Sequence, residues 1–136
     1  MVILVVELKW LKQFGSGKHL DPKDSWAKHR GSLELEGKTH ELGVYWSHDG
    51  FGFRTNHPSE KDVVLFADSE HGLHARYSES ESGTYNFRDL SPEEKSHLKK
   101  VLSVAVSSTE VHPGNFPHEE EHELLLKALK NSLSLF

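Results

Sequence analysis

The residues best suited to chemistry form a five-residue string near the end of the chain, His118-Glu119-Glu120-Glu121-His122. The string fits the pattern H-E-x-x-H, in which two histidines one helical turn apart bind zinc and the intervening glutamate acts as general base. His118 and His122 are therefore candidate zinc ligands, and Glu119 is the candidate catalytic residue. The activity that this pattern indicates is that of a zinc-dependent hydrolase.

Other features of the sequence weigh against a zinc site at this string. A catalytic zinc normally has three protein ligands, and beyond Glu123 the chain carries no further His, Asp or Glu. A third ligand would have to come from upstream, from His112 or from the pair His71 and His74. The string also opens a predicted helix, where the helix dipole favours glutamates for structural reasons. We therefore expect an acidic helix start without a cofactor, and keep zinc as the alternative.

His71 and His74 are a second pair whose spacing bears on metal binding. They stand three residues apart at the predicted start of a strand. In a turn both could touch one metal ion, but along a strand the alternation of side chains separates their directions. The sequence therefore predicts two exposed histidines at this place.

Tyr45 and Arg54 are the first candidates for a binding surface. Two segments with alternating apolar residues, 40–48 and 51–55, flank Asp49-Gly50. This dipeptide is typical of two-residue hairpin turns, in which both residues have positive φ. Such a turn places Tyr45 opposite Arg54 on the polar face of the hairpin. The pair is either a cross-strand stabiliser or an anchor for a partner, since both residue types are enriched at binding hot spots.

The tryptophans differ in their surroundings. Trp10 and Trp46 occupy the apolar phase of predicted strands and are expected in the core. Trp26 lies among polar residues in a predicted loop, 15–31, and is a candidate exposed aromatic that contacts a partner.

The distribution of charge points to a class of partner. The net charge is −5, and residues 31–90 hold five basic and eleven acidic side chains. An acidic segment argues against nucleic-acid binding, which needs a basic surface, and it suits a basic protein partner. Glu79 and Glu81 are the binding residues that we expect to matter most. The wider acidic set comprises Glu34, Glu36, Glu41, Asp68 and Glu70.

The pattern of apolar residues predicts an α+β fold in a single domain, residues 1–136. Alternation with a period of two indicates an antiparallel sheet of five to seven strands over about residues 2–87. Ser91-Pro92-Glu93-Glu94 is typical of a helix start, with a capping serine and a closing glutamate. Two amphipathic C-terminal helices, at about 91–105 and 117–133, are expected to pack on one face of the sheet.

Composition completes these expectations. The 136 residues are 35% hydrophobic and 27% charged and include no cysteine, which excludes thiolate metal sites and cysteine nucleophiles. The apolar run at residues 1–6 is too short to span a bilayer, so we expect a soluble, cytoplasmic protein that does not bind membranes. The resulting hypothesis is a non-enzymatic interaction module, like a small inhibitor or immunity protein, that binds a basic partner through an acidic sheet face. The zinc hydrolase remains the alternative.

Overall fold

The computed structural model describes residues 7–12, 29–78, 85–111 and 119–136. Within them a seven-stranded antiparallel sheet precedes two helices, which confirms the predicted α+β class. The strands are β1 (Glu7–Lys12), β2 (His29–Leu35), β3 (Lys38–Trp46), β4 (Phe51–Asn56), β5 (Val63–Asp68), β6 (Gly72–Ser78) and β7 (Tyr85–Arg88). The helices are α1 (Pro92–Val111) and α2 (Glu119–Leu133).

The sheet is a meander in which every strand pairs with its neighbours in the sequence. The spatial order is β1-β2-β3-β4-β5-β6-β7, and all six pairings are antiparallel. β1 and β7 are therefore the edges. Strand side chains alternate between faces, so the register divides the described residues into a helix face and a second face.

The helix face carries the hydrophobic core. α2 packs on β3, β4 and β5, and α1 contacts β1, β4, β5 and α2. Both helices thus lie on one face, as predicted. No helix in the described part of the chain is long and apolar enough to span a bilayer. The buried sheet residues of this core are Leu33, Leu35, Leu42, Val44, Phe53, Val63, Leu65, Ala67 and Ala75.

α1 begins as the sequence predicts and ends later. The Ser91 N–H donates to Glu94 Oε1 at 2.9 Å, and the Glu94 N–H donates to Ser91 Oγ at 3.2 Å, which closes the capping box. The helix continues to Val111, so the prediction of a connection from residue 106 is wrong over its first six residues. Burial explains the extension, because Val106 and Thr109 prolong the buried stripe beyond Ala105.

The β3–β4 hairpin shows that the predicted cross-strand pair is wrong. Tyr45 lies opposite Gly52, and Arg54 lies opposite Gly43. Four residues, 47–50, connect the strands, whereas the prediction assumed two. Because the register differs by an even number of residues, Tyr45 and Arg54 still lie on the same face, as diagonal neighbours.

The tight turn with positive φ forms between β2 and β3. Glu36 and Gly37 have φ values of 55° and 77°, as a type I′ turn requires. The sequence predicts this turn type at Asp49-Gly50, where neither residue has a positive φ.

At Gly50 the β3–β4 connection comes into close contact with the β5–β6 turn. Ser69, from the β5–β6 turn, accepts a hydrogen bond from the Phe51 N–H through Oγ at 3.0 Å. A Cβ on Gly50 would lie 2.8 Å from this oxygen. The glycine is therefore required by contact with a neighbouring hairpin and not by a positive φ.

β2 begins at His29, so the end of the predicted loop 15–31 is wrong. Gly31, which suggests a loop in the sequence, pairs with Trp10 across β1 and β2. A Cβ here would lie 2.6 Å from the Trp10 indole and 2.8 Å from the Lys9 carbonyl oxygen. The absence of a side chain lets the indole pack over the neighbouring strand.

Two histidines face each other between α1 and the sheet. The ring centroids of His40 on β3 and His97 on α1 are 5.2 Å apart. His40 Nδ1 and His97 Nε2 are buried, and neither has a hydrogen-bond partner among the described residues. Burial is the main cause that lowers the pKa of both rings, and it brings the pKa of His97 to about 4. The positive charges of Lys38 and Lys100 act in the same direction.

We expect the free energy of unfolding to fall as the pH drops from about 6.5 towards 4. The unfolded chain takes up a proton at an ordinary histidine pKa, whereas folded His97 stays neutral down to about pH 4. The loss reaches up to about 1.4 kcal/mol per pH unit for each such group. Urea denaturation at several pH values measures it. His97→Gln flattens this dependence, and His48→Gln, at an exposed histidine, leaves it unchanged. Equal slopes in all three proteins would contradict the assignment.

Candidate functional site

The H-E-x-x-H string falls partly within the described residues. His118 lies outside them, and Glu119 is described only as the first backbone position of α2. His122 Nε2 lies 3.0 Å from the Thr109 carbonyl oxygen. A carbonyl can only accept, so Nε2 carries the proton and donates. In this arrangement Nε2 is engaged with the backbone, and zinc binding through it would require this bond to break.

Thr109 explains why a histidine stands at position 122. Its carbonyl belongs to the last turn of α1, where the final four carbonyls have no partner within the helix. His122 from α2 supplies the missing donor. The Thr109 side chain accepts a second bond through Oγ1, from Trp10 Nε1 at 3.1 Å. Thr109 thus links the end of α1 to both β1 and α2.

The other predicted binding residues separate into described and undescribed ones. Trp26, Glu79 and Glu81 lie outside the described residues. Tyr45 and Arg54 lie on the second face, half-buried. Arg30 and Arg54 both pair with Gly43, one from each side. No side chain of the intervening strand therefore stands between these two arginines.

An arginine–aromatic stack occupies the same face towards β7. The Arg76 guanidinium lies 4.2 Å from the centroid of the Phe66 ring and 5.0 Å from that of Phe87. Phe66 is buried, whereas Phe87 is 53% exposed. Cation–π contacts of this kind stabilise an arginine on an aromatic surface. Sequence reasoning missed the stack because β5 is apolar on both faces and gives no sign of which residues lie away from the helices.

The predicted acidic set does not gather at one place. Glu34 and Glu41 lie on the second face, near the β2–β3 turn, by their positions in the register. Glu36 lies in that turn and Glu70 in the β5–β6 turn, at opposite ends of the sheet. Asp68 is 4% exposed and lies on the second face, at the end of β5 near the β5–β6 turn.

Glu94 is the centre of a buried ionic cluster. Arg88 donates to both of its carboxylate oxygens, at 2.6 Å and 2.7 Å. His57 Nε2, from the β4–β5 loop, lies 3.0 Å from Glu94 Oε2. The two hydrogen bonds from Arg88 are the main cause that lowers the pKa of Glu94 to about 2, and the bonds with Ser91 add to the effect. The sequence indicates the capping role of Glu94 but not its partners, which come from separate elements.

Ser59, His57 and Glu94 follow the order of a hydroxyl, an imidazole and a carboxylate that nucleophilic catalysis uses. Ser59 Oγ lies 3.3 Å from His57 Nδ1. However, Nδ1 also receives the backbone N–H groups of Ser59 and Glu60, at 3.1 Å and 3.0 Å. The lone pair that a general base needs is therefore used by the loop itself. The geometry supports a structural role, in which His57 fastens the β4–β5 loop to α1.

A third cluster joins Asp68, His71 and His74. Their potential ligand atoms all lie within 4.8 Å of one another. The expectation of two exposed histidines is wrong for His74, which is 5% exposed. His71 belongs to the turn rather than to β6, and Gly72 follows it with a φ of 70°. The alternation argument fails because this glycine bends the chain between the two histidines. Asp-x-x-His-Gly at the end of a strand is the signal that could have revealed the turn.

Electrostatics within this cluster favour a neutral His74. Burial is the main cause that lowers its pKa, and the carboxylate of Asp68 opposes the effect. His74 Nδ1 lies 3.2 Å from the Gly72 carbonyl oxygen and donates to it, while Nε2 accepts from Arg76 Nε at 3.1 Å. The ring is thereby held in a single tautomer.

Glu94→Gln is expected to lower the free energy of unfolding by about 2 to 3 kcal/mol. It removes the charge that pairs with Arg88, a loss that is large for a buried pair and smaller where one partner is partly exposed. Urea denaturation at pH 7 measures the effect. The matched control is Glu93→Gln, at an exposed position in the same helical turn, which should change stability by less than about 0.5 kcal/mol. Equal losses in both variants would exclude the buried cluster as the cause.

His122→Ala is expected to cost about 1 kcal/mol of stability, the typical value of one hydrogen bond. The loss should be the same with and without EDTA, because the bond to Thr109 needs no metal. Thermal denaturation under both conditions, with zinc analysis of the purified protein, makes the measurement. Stoichiometric zinc that disappears in the variant would instead support the zinc hydrolase.

The described residues thus offer a capped helix end, a buried ionic cluster, an arginine–aromatic face and a histidine–aspartate cluster. No protein-family model, curated protein or solved structure matches this chain. A fold alone does not indicate an activity, so the function has to be argued from these arrangements.

Proposed function

We propose that the protein is a non-enzymatic interaction module that binds an acidic protein segment through the second face of the sheet. The observation that carries this proposal is the pair of arginines that flank Gly43. Arg30 on β2 and Arg54 on β4 lie two strands apart, a separation of about 10 Å between their backbones. A carboxylate that approaches between the two guanidinium groups can accept hydrogen bonds from both.

The residues around this pair suit a protein interface. Tyr45 is half-buried, lies opposite Gly52 and is the diagonal neighbour of Arg54. Among the described side chains of this face, Phe87 is the largest exposed apolar one, at 53% exposure. Aromatic residues and arginine are enriched in the centres of interfaces. The face therefore combines hydrogen-bond donors with flat apolar contact area.

The positions of the charges favour an acidic segment as the partner. Among the described residues of this face, Lys9, Arg30, Arg54 and Arg76 are basic. Of the acidic ones, Asp68 is buried beside Arg76, and Glu34 and Glu41 lie together at the end near the β2–β3 turn. The hypothesis of a basic partner rests on the acidic segment 31–90, of which Glu79 and Glu81 lie outside the described residues, and it stays a prediction. Different variants are expected to weaken the binding of an acidic partner and of a basic partner.

Two features support binding rather than hydrolysis. The Nε2 atom of His122 is hydrogen-bonded to the backbone of α1, and the Nδ1 atom of His57 is used by its own loop. Each of these two histidines thus has a structural role that accounts for it, while His118 lies outside the described residues.

Charge reversal tests the proposal. A protein partner is first recovered from the source cell by pull-down, and its affinity is then measured by biolayer interferometry with the wild type and with variants. Arg54→Glu and Arg30→Glu should each weaken binding at least about tenfold, because a hot-spot arginine contributes about 2 kcal/mol or more. Affinity should also fall as salt rises.

The controls separate the alternatives. Lys95→Glu, at an exposed position on α1, should leave the affinity unchanged. The double variant with Glu79→Lys and Glu81→Lys should also leave the affinity unchanged. If that pair weakens binding while Arg54→Glu does not, the partner is basic and the proposed face is wrong.

A further inference from the structure

The strongest unassigned feature of the molecule is the cluster at the β5–β6 turn. Asp68 Oδ1 accepts hydrogen bonds from the backbone N–H groups of Glu70 and His71, at 3.1 Å and 2.6 Å. Asp68 Oδ2 is buried and has no hydrogen-bond partner among the described residues. A buried carboxylate oxygen without a partner costs free energy. One oxygen of this carboxylate therefore shapes the turn, and the other lies beside His74 and Arg76.

From this arrangement we infer that Asp68, His71 and His74 form a binding site for a divalent transition-metal ion, with two imidazoles and one carboxylate as ligands. This donor set is one that zinc and neighbouring metals accept, with further positions left to water or substrate. The site is separate from the arginine pair that carries the proposed function.

The geometry of the ligand atoms fits the inference. His74 Nε2 lies 3.7 Å from Asp68 Oδ2, and His71 Nδ1 lies 4.0 Å from Asp68 Oδ1. Ligand atoms around a tetrahedral zinc ion lie about 3.3 Å apart. The side chain of His71 is 47% exposed. Rotation of its ring can therefore bring Nδ1 within ligand distance of a metal ion bound by Asp68 and His74.

The surroundings of His74 already hold it as a metal-binding histidine is held. Its Nδ1–H donates to the Gly72 carbonyl, at 3.2 Å, so Nε2 presents its lone pair to the cluster. A carbonyl behind the ring is the usual means of fixing a ligating imidazole. The ring also stacks on Phe66, with an interplanar angle of 10° and a centroid distance of 5.1 Å.

Arg76 competes with the metal for this site. Its Nε donates to His74 Nε2 at 3.1 Å, and its Nη2 lies 3.9 Å from Asp68 Oδ2. The guanidinium thus covers the two atoms that a metal ion would need. Binding requires Arg76 to move aside, and its removal should therefore increase the metal affinity. This inverse effect of a neighbouring residue distinguishes the site from histidines that bind metal on an open surface.

Calorimetric titration of the untagged protein with zinc chloride tests the inference. We expect one zinc ion per chain. His74→Ala and His71→Ala should each weaken binding at least tenfold, and Asp68→Asn, which keeps the acceptor for the turn, should weaken it as well. Arg76→Ala should tighten it at least threefold. The matched control is His48→Ala, which removes an exposed histidine beside an aspartate in a neighbouring turn and should have no effect.

Two outcomes would overturn the inference. One is binding that survives both His71→Ala and His74→Ala but is lost in His118→Ala with His122→Ala, which would place the metal at the helix start. The other is the absence of saturable binding in the wild type and in Arg76→Ala. Circular dichroism of each variant shows whether it remains folded. For a folded variant, histidine ring shifts in nitrogen-15 NMR identify which nitrogens bind zinc.

Discussion

The buried carboxylate of Glu94 is the interaction on which most of the assembly depends. It caps its own helix through Ser91, takes both hydrogen bonds of Arg88 from the last strand, and meets His57 from the β4–β5 loop. A buried charge is tolerated only where partners on several sides replace water. Here the partners come from three elements, so the start of α1 is fixed against the sheet at one place.

The two faces of the sheet then serve different purposes. The helix face is closed by both helices and by the link from Trp10 to Thr109. On the second face the polar and aromatic side chains are arranged in cross-strand rows: Arg30, Gly43, Arg54, Phe66 and His74 are consecutive partners from β2 to β6. Most of this row carries the features that we connect with binding. The arginines and the histidine of this row thus lie on the face away from the two helices.

Local patterns predicted the elements well and their partners poorly. The capping box at Ser91 and the alternation in each hairpin depend on residues close in sequence, and the structure confirms them. The four-residue β3–β4 connection could not be predicted, because it depends on Ser69 reaching Gly50 from another hairpin. Gly31 and Gly50 both resemble turn residues, yet each is required by contact with a neighbouring strand or turn. Asp68, His71 and His74 lie close together because Gly72, between the two histidines, has a positive φ.

The meander order has a consequence for how the chain folds. Every strand pairing joins sequence neighbours, so hairpins can form one after another without bringing distant segments together. The contacts that join remote parts of the chain are those of the helices, such as Trp10 with Thr109, which are 99 residues apart. Loop-closure entropy favours near contacts first. We therefore expect the hairpins of the sheet to form stepwise along the chain, and the docking of α1 and α2 to follow.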